Sequence, residues 1–229
     1  MEREIYSRTE ALLGEAGQAR LLSSSVAVFG VGGVGGFAVE ALARAGVGKI
    51  TVIDADRVAP SNINRQIIAT HSTLGMLKVD AIKQRIVDIN PDIEVKALPI
   101  FYSEENADEI NLRDFDYVLD CIDSVKSKLT LIRLADAAGT PIISSMGAGN
   151  KLDPTRFSVV DISKTHTDPL AKVMRTELRR VGINHLTVVW SDEPPHRVGS
   201  RTPASVSFVP SAVGLIMAGE VIKALSTGK

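Results

Sequence analysis

The sequence predicts an α/β fold: a Rossmann-like, doubly wound and mostly parallel sheet with a C-terminal elaboration. Three observations predict it. Apolar runs of strand length alternate with runs of helical period over the first two thirds of the chain. A glycine-rich segment, Gly30-Val-Gly32-Gly33-Val-Gly35, lies between the first strand and the helix that follows it. Charged residues gather just past the ends of the strands, at Asp54 and Asp56 and again at Asp120 and Asp123, where open α/β sheets bind ligands.

The elements follow in order. Residues 9–22 read as a short helix. Val26 to Phe29 is a continuous apolar run ending at glycine, as in a buried parallel strand. Residues 34–45 form a helix capped by Gly46, and Lys49 to Ile53 is the second strand. A helix over 75–89 carries Val79, Ile82, Ile86 and Ile89 on one face and stops at Asn90-Pro91. Strands follow at Ile93 to Ala97, Tyr117 to Asp120 and Pro141 to Ser145, with a helix at about 126–138 between the last two. Beyond residue 150 the pattern weakens to strands at Phe157 to Asp161 and Leu186 to Trp190 and a basic helix at 168–180. Residues 191–204 hold three prolines and read as loop, and Ser211 caps a last apolar helix ending at Leu225.

No linker divides the 229 residues, so they read as one domain, 1–229, with a nucleotide-binding core at about 24–150 and the elaboration at about 151–229. With 45% hydrophobic and 23% charged residues, the chain is neither disordered, collagen-like nor coiled-coil. A net charge of −1 supplies no global attraction to nucleic acid or lipid, so RNA binding would need a local patch. The single cysteine, Cys121, excludes an intramolecular disulfide and a Cys-x-x-Cys zinc site. This suits a cytoplasmic protein. The N-terminus has no apolar signal segment, and Val206 to Gly219 is interrupted and shorter than the ~20 residues of a membrane span. It reads as a core helix.

Glycines let the backbone turn tightly and let phosphate approach bare N–H groups at a helix start. Asp54, 24 residues after Gly30, stands where an acid reaches ribose hydroxyls. A structural glycine turn would need no such acid. A nicotinamide dehydrogenase would use both, but would leave Arg65 and Lys78 without a purpose. A triphosphate employs both cations, and Asp123 suits Mg2+, which prefers a carboxylate together with phosphate oxygens.

The segments GVGGVG, DAD (54–56), SNINRQ (61–66), LGMLKVDA around Lys78 and DCIDS (120–124) resemble the ubiquitin-activating-enzyme-like superfamily typified by ThiF, MoeB and HesA. The match covers residues 26–150. The resemblance implies a carboxylate-adenylating enzyme using ATP and Mg2+. It implies that Gly30, Gly32, Gly33 and Gly35 cradle nucleotide and Asp54 holds the ribose. Asn62, Arg65 and Lys78 would contact phosphates with Gln66 nearby, Asp56 would line the phosphate side, and Asp123 would bind the metal. It also implies a homodimer in which Arg8 reaches the partner's ATP; the bland reading of Arg8 is a solvated arginine.

The family's carrier-protein branch uses zinc cysteines and often a loop cysteine. This chain has neither, Cys121 falls in a strand-end motif where a thiol is ordinarily inert, and the four histidines read as surface or loop residues. Instead, GAGNKLDPT (147–155), VDISKT (160–165), TDPLA (167–171) and the final GLIMAGEVIKAL resemble the tRNA threonylcarbamoyladenosine dehydratases. That implies ATP-dependent cyclisation of a modified tRNA adenosine, for which no enzyme thiol is needed. Lys172, Arg175, Arg179 and Arg180 are the first candidates for RNA contact, ahead of Lys126, Lys128, Arg133, Arg197 and Arg201; the alternative is a solvated helix face. Some relatives bind a monovalent cation near residues 150–170, and a sulfur-transfer protein partner stays open. The rival readings are an adenylyltransferase for a sulfur-carrier protein and a nucleotide-binding scaffold without catalysis.

Overall fold

The computed structural model describes residues 2–200 and 202–228. Arg201, a candidate RNA contact, lies outside them. Seven strands form one sheet in the order β3-β2-β1-β4-β5-β7-β6. These are β1 (Ser25–Phe29), β2 (Lys49–Ile53), β3 (Glu94–Leu98), β4 (Tyr117–Asp120), β5 (Ile142–Ser145), β6 (Phe157–Asp161) and β7 (Thr187–Ser191). All neighbours are parallel except β6 and β7, which run antiparallel with Val159 opposite Val189. The chain winds outward from β1 to β3 and then returns to β4, so the strand order reverses between β1 and β4. A crevice opens at such a switch point.

The pleat sorts side chains between two cores. Val26 and Val28 of β1 join the larger core, while Ala27 and Phe29 face the other side. The larger core is closed by α3 (Gly35–Ala45), α4 (Lys78–Ile89) and α7 (Phe208–Thr227). The opposite face is closed by α5 (Val125–Ala138), with α6 (Pro169–Arg180) making a third cluster around Met174, Leu178 and Trp190. At the N-terminus, α1 (Glu2–Leu13) and α2 (Glu15–Ser23) replace the single helix expected at 9–22. Gly14, at φ 77°, breaks the run.

Two other boundaries move for physical reasons. α4 starts at Lys78 rather than 75, because Gly75 is left-handed at φ 81° and Leu77 pairs with Arg57 in a β-bridge. α7 begins at Phe208, ahead of the expected Ser211, with Pro210 in its first turn. There the absent N–H has no intrahelical acceptor to lose. α7 spans 20 residues and by length and composition could cross a membrane. Val209, Val213, Met217 and Val221 are nevertheless fully buried against the larger core, the arrangement of a core helix.

Candidate active site

The glycine segment connects β1 to α3 beneath the crevice. Gly30 sits at φ 87°, and a Cβ there would come within 2.8 Å of the Cys121 carbonyl oxygen. Gly35 is tighter: a Cβ would lie 1.8 Å from the Gly30 carbonyl oxygen. Helix start and strand end therefore touch through bare backbone. Gly35→Ala is expected to push α3 away from β1, abolishing ATP binding in calorimetry and lowering the melting temperature. Unchanged ATP affinity would show that this approach is dispensable.

Asp54, at the end of β2, ties the loop to its surroundings. Its Oδ2 accepts from the Val31 N–H at 2.7 Å and its Oδ1 from the Asp56 N–H at 2.8 Å. The Lys78 Nζ lies 2.7 Å from Asp56 Oδ2 and 4.0 Å from Asp54 Oδ2. The Lys78 backbone N–H also donates to the Asp56 carbonyl at 2.9 Å. The start of α4 is thus fastened twice to Asp56 in the segment after β2, with the Lys78 ammonium aimed at two carboxylates. Arg65 follows a 3₁₀ turn at Pro60–Asn62, and its Nη1 donates to the Ser61 carbonyl and to Asn64 Oδ1 at 2.9 and 2.8 Å.

These groups meet around one cavity of about 700 Å³ at the carboxyl ends of the strands. Gly30, Gly32, Gly33, Asp54, Asp56, Arg65, Gln66, Lys78 and Asp123 all line it. The remaining expected site residues fall elsewhere. Gly35 packs beneath the loop, and Asn62 is absent from the lining, with its Oδ1 accepting from the Ala59 N–H at 3.0 Å. Arg8 is exposed on α1, away from the lining of its own chain's cavity. Gln66 is buried, and its Oε1 has no hydrogen-bond partner among the described residues. Asp123 is exposed and, among the described residues, has no ion-pair partner, so its carboxylate is free to take a cation.

Burial pushes the Cys121 thiol up, and the neighbouring Asp120 carboxylate pushes it further. A thiol so held makes a poor nucleophile. The sulfur instead faces Met217 Sδ at 4.0 Å. All four histidines are exposed.

The structure corrects the reading of Lys128 as an RNA contact. Its side chain is completely buried, 2.9 Å from the equally buried Asp120 carboxylate, and it also donates to Ser144 Oγ at 3.2 Å. Ser144 donates to the same Asp120 oxygen at 2.6 Å. Asp120 Oδ1 accepts from the Ile122 N–H at 3.2 Å, fixing the turn that carries Asp123. In the sequence, Lys128 stands one turn before Leu131 and Ile132 and two turns before Ala135, on the apolar stripe of α5, which marks it as an inward residue. In the expected basic cluster of α6, Lys172 and Arg179 are exposed. Arg175 is half-buried and donates to the carbonyl and hydroxyl oxygens of Thr165, while Arg180 pairs with Glu177.

The far wall of the cavity comes from Gly147 to Lys151, the start of α6 and the loop after β7. Asn150, left-handed at φ 59°, organises it. Its N–H donates to the Ala204 carbonyl at 2.8 Å, its Oδ1 accepts from the Ala204 N–H at 2.7 Å, and its own carbonyl accepts from the His196 N–H at 2.7 Å. Burial pushes the Glu193 carboxyl up, yet the N–H groups of Leu152 and Asp153, with His196, outweigh this and hold it below the ordinary range. Asn150 and Lys151 appear in the sequence only within the GAGNKLDPT resemblance, which does not disclose their partners.

The ThiF family model matches residues 6–229. The chain belongs to the ThiF family. Among relatives of this ThiF-family chain, a tRNA threonylcarbamoyladenosine dehydratase of Bacillus subtilis is 48% identical, the match covering 95% of this chain and 92% of that protein. The crystal structure of the Escherichia coli tRNA N6-threonylcarbamoyladenosine dehydratase, TcdA, with AMP superposes with a TM-score of 0.93 at 32% identity, over 99% of this chain and 95% of that one. The same E. coli protein with ATP gives a TM-score of 0.91 at the same identity and coverage.

Proposed function

We propose that this ThiF-family chain is an ATP-dependent dehydratase that cyclises threonylcarbamoyladenosine in tRNA through a carboxyl-adenylate, releasing AMP and diphosphate. One observation carries the reading. One cavity is lined by Arg65, Lys78, Asp54 and Asp123, which supports adenylation at that end, and also by a second wall of Gly147 to Lys151 and Asp168. Its volume of about 700 Å³ is that of a ligand-binding pocket. The near full-length likeness to named dehydratases, one with ATP and one with AMP, supports the same chemistry.

The chemistry follows from charge. A carboxylate is a poor electrophile. Attack of a carboxylate oxygen on the α-phosphorus expels diphosphate and turns the carboxyl into an acyl-adenylate. An atom of the urea-like linkage in the same molecule then attacks the acyl carbon and expels AMP, closing a ring with net loss of water. Because nucleophile and electrophile share one molecule, their effective concentration is high. Lys78 and Arg65 hold phosphate oxygens while charge shifts onto the leaving diphosphate. Asp54 binds the ribose hydroxyls, and its bond to Val31 fixes the glycine loop beside them. Asp123 would hold Mg2+ together with phosphate oxygens, and that ion would offset the triphosphate charge.

The chain acts as one adenylating domain and as a homodimer in the cytoplasm. Arg8 serves a nucleotide only on a second copy. α7 offers that copy an apolar stripe, with Phe208 and Leu215 each 49% exposed and Ala212, Gly219 and Ile222 along the same side. Leu215→Glu is expected to give monomers in light scattering and to reduce AMP formation; a fully dimeric variant would exclude this face. Lys172 and Arg179 contact tRNA phosphates.

The deciding experiment measures AMP released from ATP with tRNA bearing the threonylcarbamoyl group and with tRNA lacking it, followed by mass spectrometry of the nucleosides. AMP that requires the modified tRNA, with a product lighter by one water, is the expected result. AMP formed without it would favour a carrier-protein substrate, and bound ATP that yields no AMP would favour a scaffold.

A further inference from the structure

A monovalent cation, which the family resemblance implies near residues 150–170, needs oxygens with uncommitted lone pairs. The buried carboxylate in that stretch, Asp168, is already committed. Its Oδ2 lies 2.9 Å from the Lys151 ammonium, and its Oδ1 accepts from the Ala171 N–H at 3.0 Å, capping α6. The Ser191 carbonyl lies 3.4 Å from the same ammonium. The Phe157 ring closes the other side, its centroid 5.2 Å from Nζ. Both charged side chains are 1% exposed. Carboxylate, carbonyl and aromatic face form a cation's coordination shell, and the chain fills it with its own side chain.

We infer that the Lys151 ammonium is a tethered cation, taking the place of a bound monovalent ion and positioning the far wall of the cavity. It joins three elements: the segment after β5 that bears Lys151, the start of α6 at Asp168 and the end of β7 at Ser191. Gly147 carries the effect to the lining. A Cβ at Gly147 would fall 2.8 Å from Asp168 Oδ2, so the wall backbone lies directly on the paired carboxylate. Gly147, Lys151 and Asp168 all border the cavity. Lys151 is too buried to react with substrate and is a positioning residue. Its effect on turnover rests on the proposed placing of the modified adenosine against this wall.

The test uses Lys151→Ala, which opens a polar hole of cation size, and Lys151→Met, which keeps the volume without the charge. Thermal unfolding of the full chain is recorded in ammonium, methylammonium, potassium and tetramethylammonium chlorides at one ionic strength. Lys151→Ala should melt lower than the unaltered protein and regain stability with the small cations but not with tetramethylammonium. Lys151→Met and the unaltered protein should not distinguish the salts. In parallel, kcat/KM of Lys151→Ala for modified tRNA should fall on the order of 10- to 100-fold and recover with the same cations, while its ATP affinity stays unchanged. Lys151→Ala that does not discriminate among the salts would overturn the inference. So would an unaltered protein stabilised or activated by potassium over tetramethylammonium. If the melting pattern holds but modified tRNA elicits no AMP from the unaltered protein, the tethered cation stands and the tRNA reading falls.

Discussion

Arg65→Ala is expected to slow AMP formation by about 10²- to 10³-fold while leaving the melting temperature where it was. The guanidinium lies at the cavity lining, and its partners, the Ser61 carbonyl and Asn64 Oδ1, are themselves exposed. Truncation therefore strands no buried group, and solvent satisfies what is left. In the proposed mechanism the missing interaction is the clamp on phosphate oxygens that strengthens as the α-phosphorus is attacked. Because this gain belongs to the transition state, kcat should fall while ATP affinity changes far less. Arg65→Lys should fall between the two, since an ammonium keeps the charge but not the two-point planar grip. A folded Arg65→Ala enzyme with full kcat would remove Arg65 from the chemistry.

The largest stability effect is expected at the Asp120–Lys128 pair. Lys128→Met leaves a fully buried carboxylate with Ser144 and the Ile122 N–H as its remaining partners. An unpaired buried charge costs about 3–5 kcal/mol. For a chain of this length that lowers the melting temperature by roughly 6–20 °C. Removing both charges, with Asp120→Leu and Lys128→Met together, should restore most of the stability, because no lone charge stays inside. Activity should not return with it. The Asp120 carboxylate also holds the turn leading to Asp123, and the double variant lacks that hold. A double variant as unstable as Lys128→Met would show that packing, rather than charge pairing, dominates at this spot.

The fold was readable because burial on both faces forces the strands into continuous apolar runs such as Val26 to Phe29, and because Gly30 to Gly35 marks the first crossover. That the candidate nucleotide residues share one cavity was readable for a related reason. Asp54, Lys78 and Asp123 each stand just past a strand or at the start of a helix, so topology brings them together, whereas Arg65 reaches the same cavity from the loop after the Pro60–Asn62 turn. Asn62 was not readable in the same way, because its side chain is engaged by its own turn. Lys128 and Lys151 were obscure for the opposite reason. A lysine announces solvent in a sequence, and only three-dimensional pairing with Asp120 or Asp168 makes its burial tolerable. The break at Gly14 turned on one backbone angle that helical periodicity does not register.

The double attachment at Asn150 has a consequence for how this cavity tolerates change over evolutionary time. His196 and Ala204 are both hydrogen-bonded to that single residue, so the span between them begins and ends at nearly the same point. Whatever lies between the two anchors is a closed excursion whose length does not alter where the anchors sit. Doubling such an excursion costs only about 0.6 kcal/mol of closure entropy. Insertions and deletions at 197–200 are therefore expected to be nearly neutral for the wall beneath, whereas Thr202 and Pro203 border the cavity itself. The segment is a place where lineages can diverge in size, and acquire new outer surfaces, while the chamber for the reaction keeps its shape.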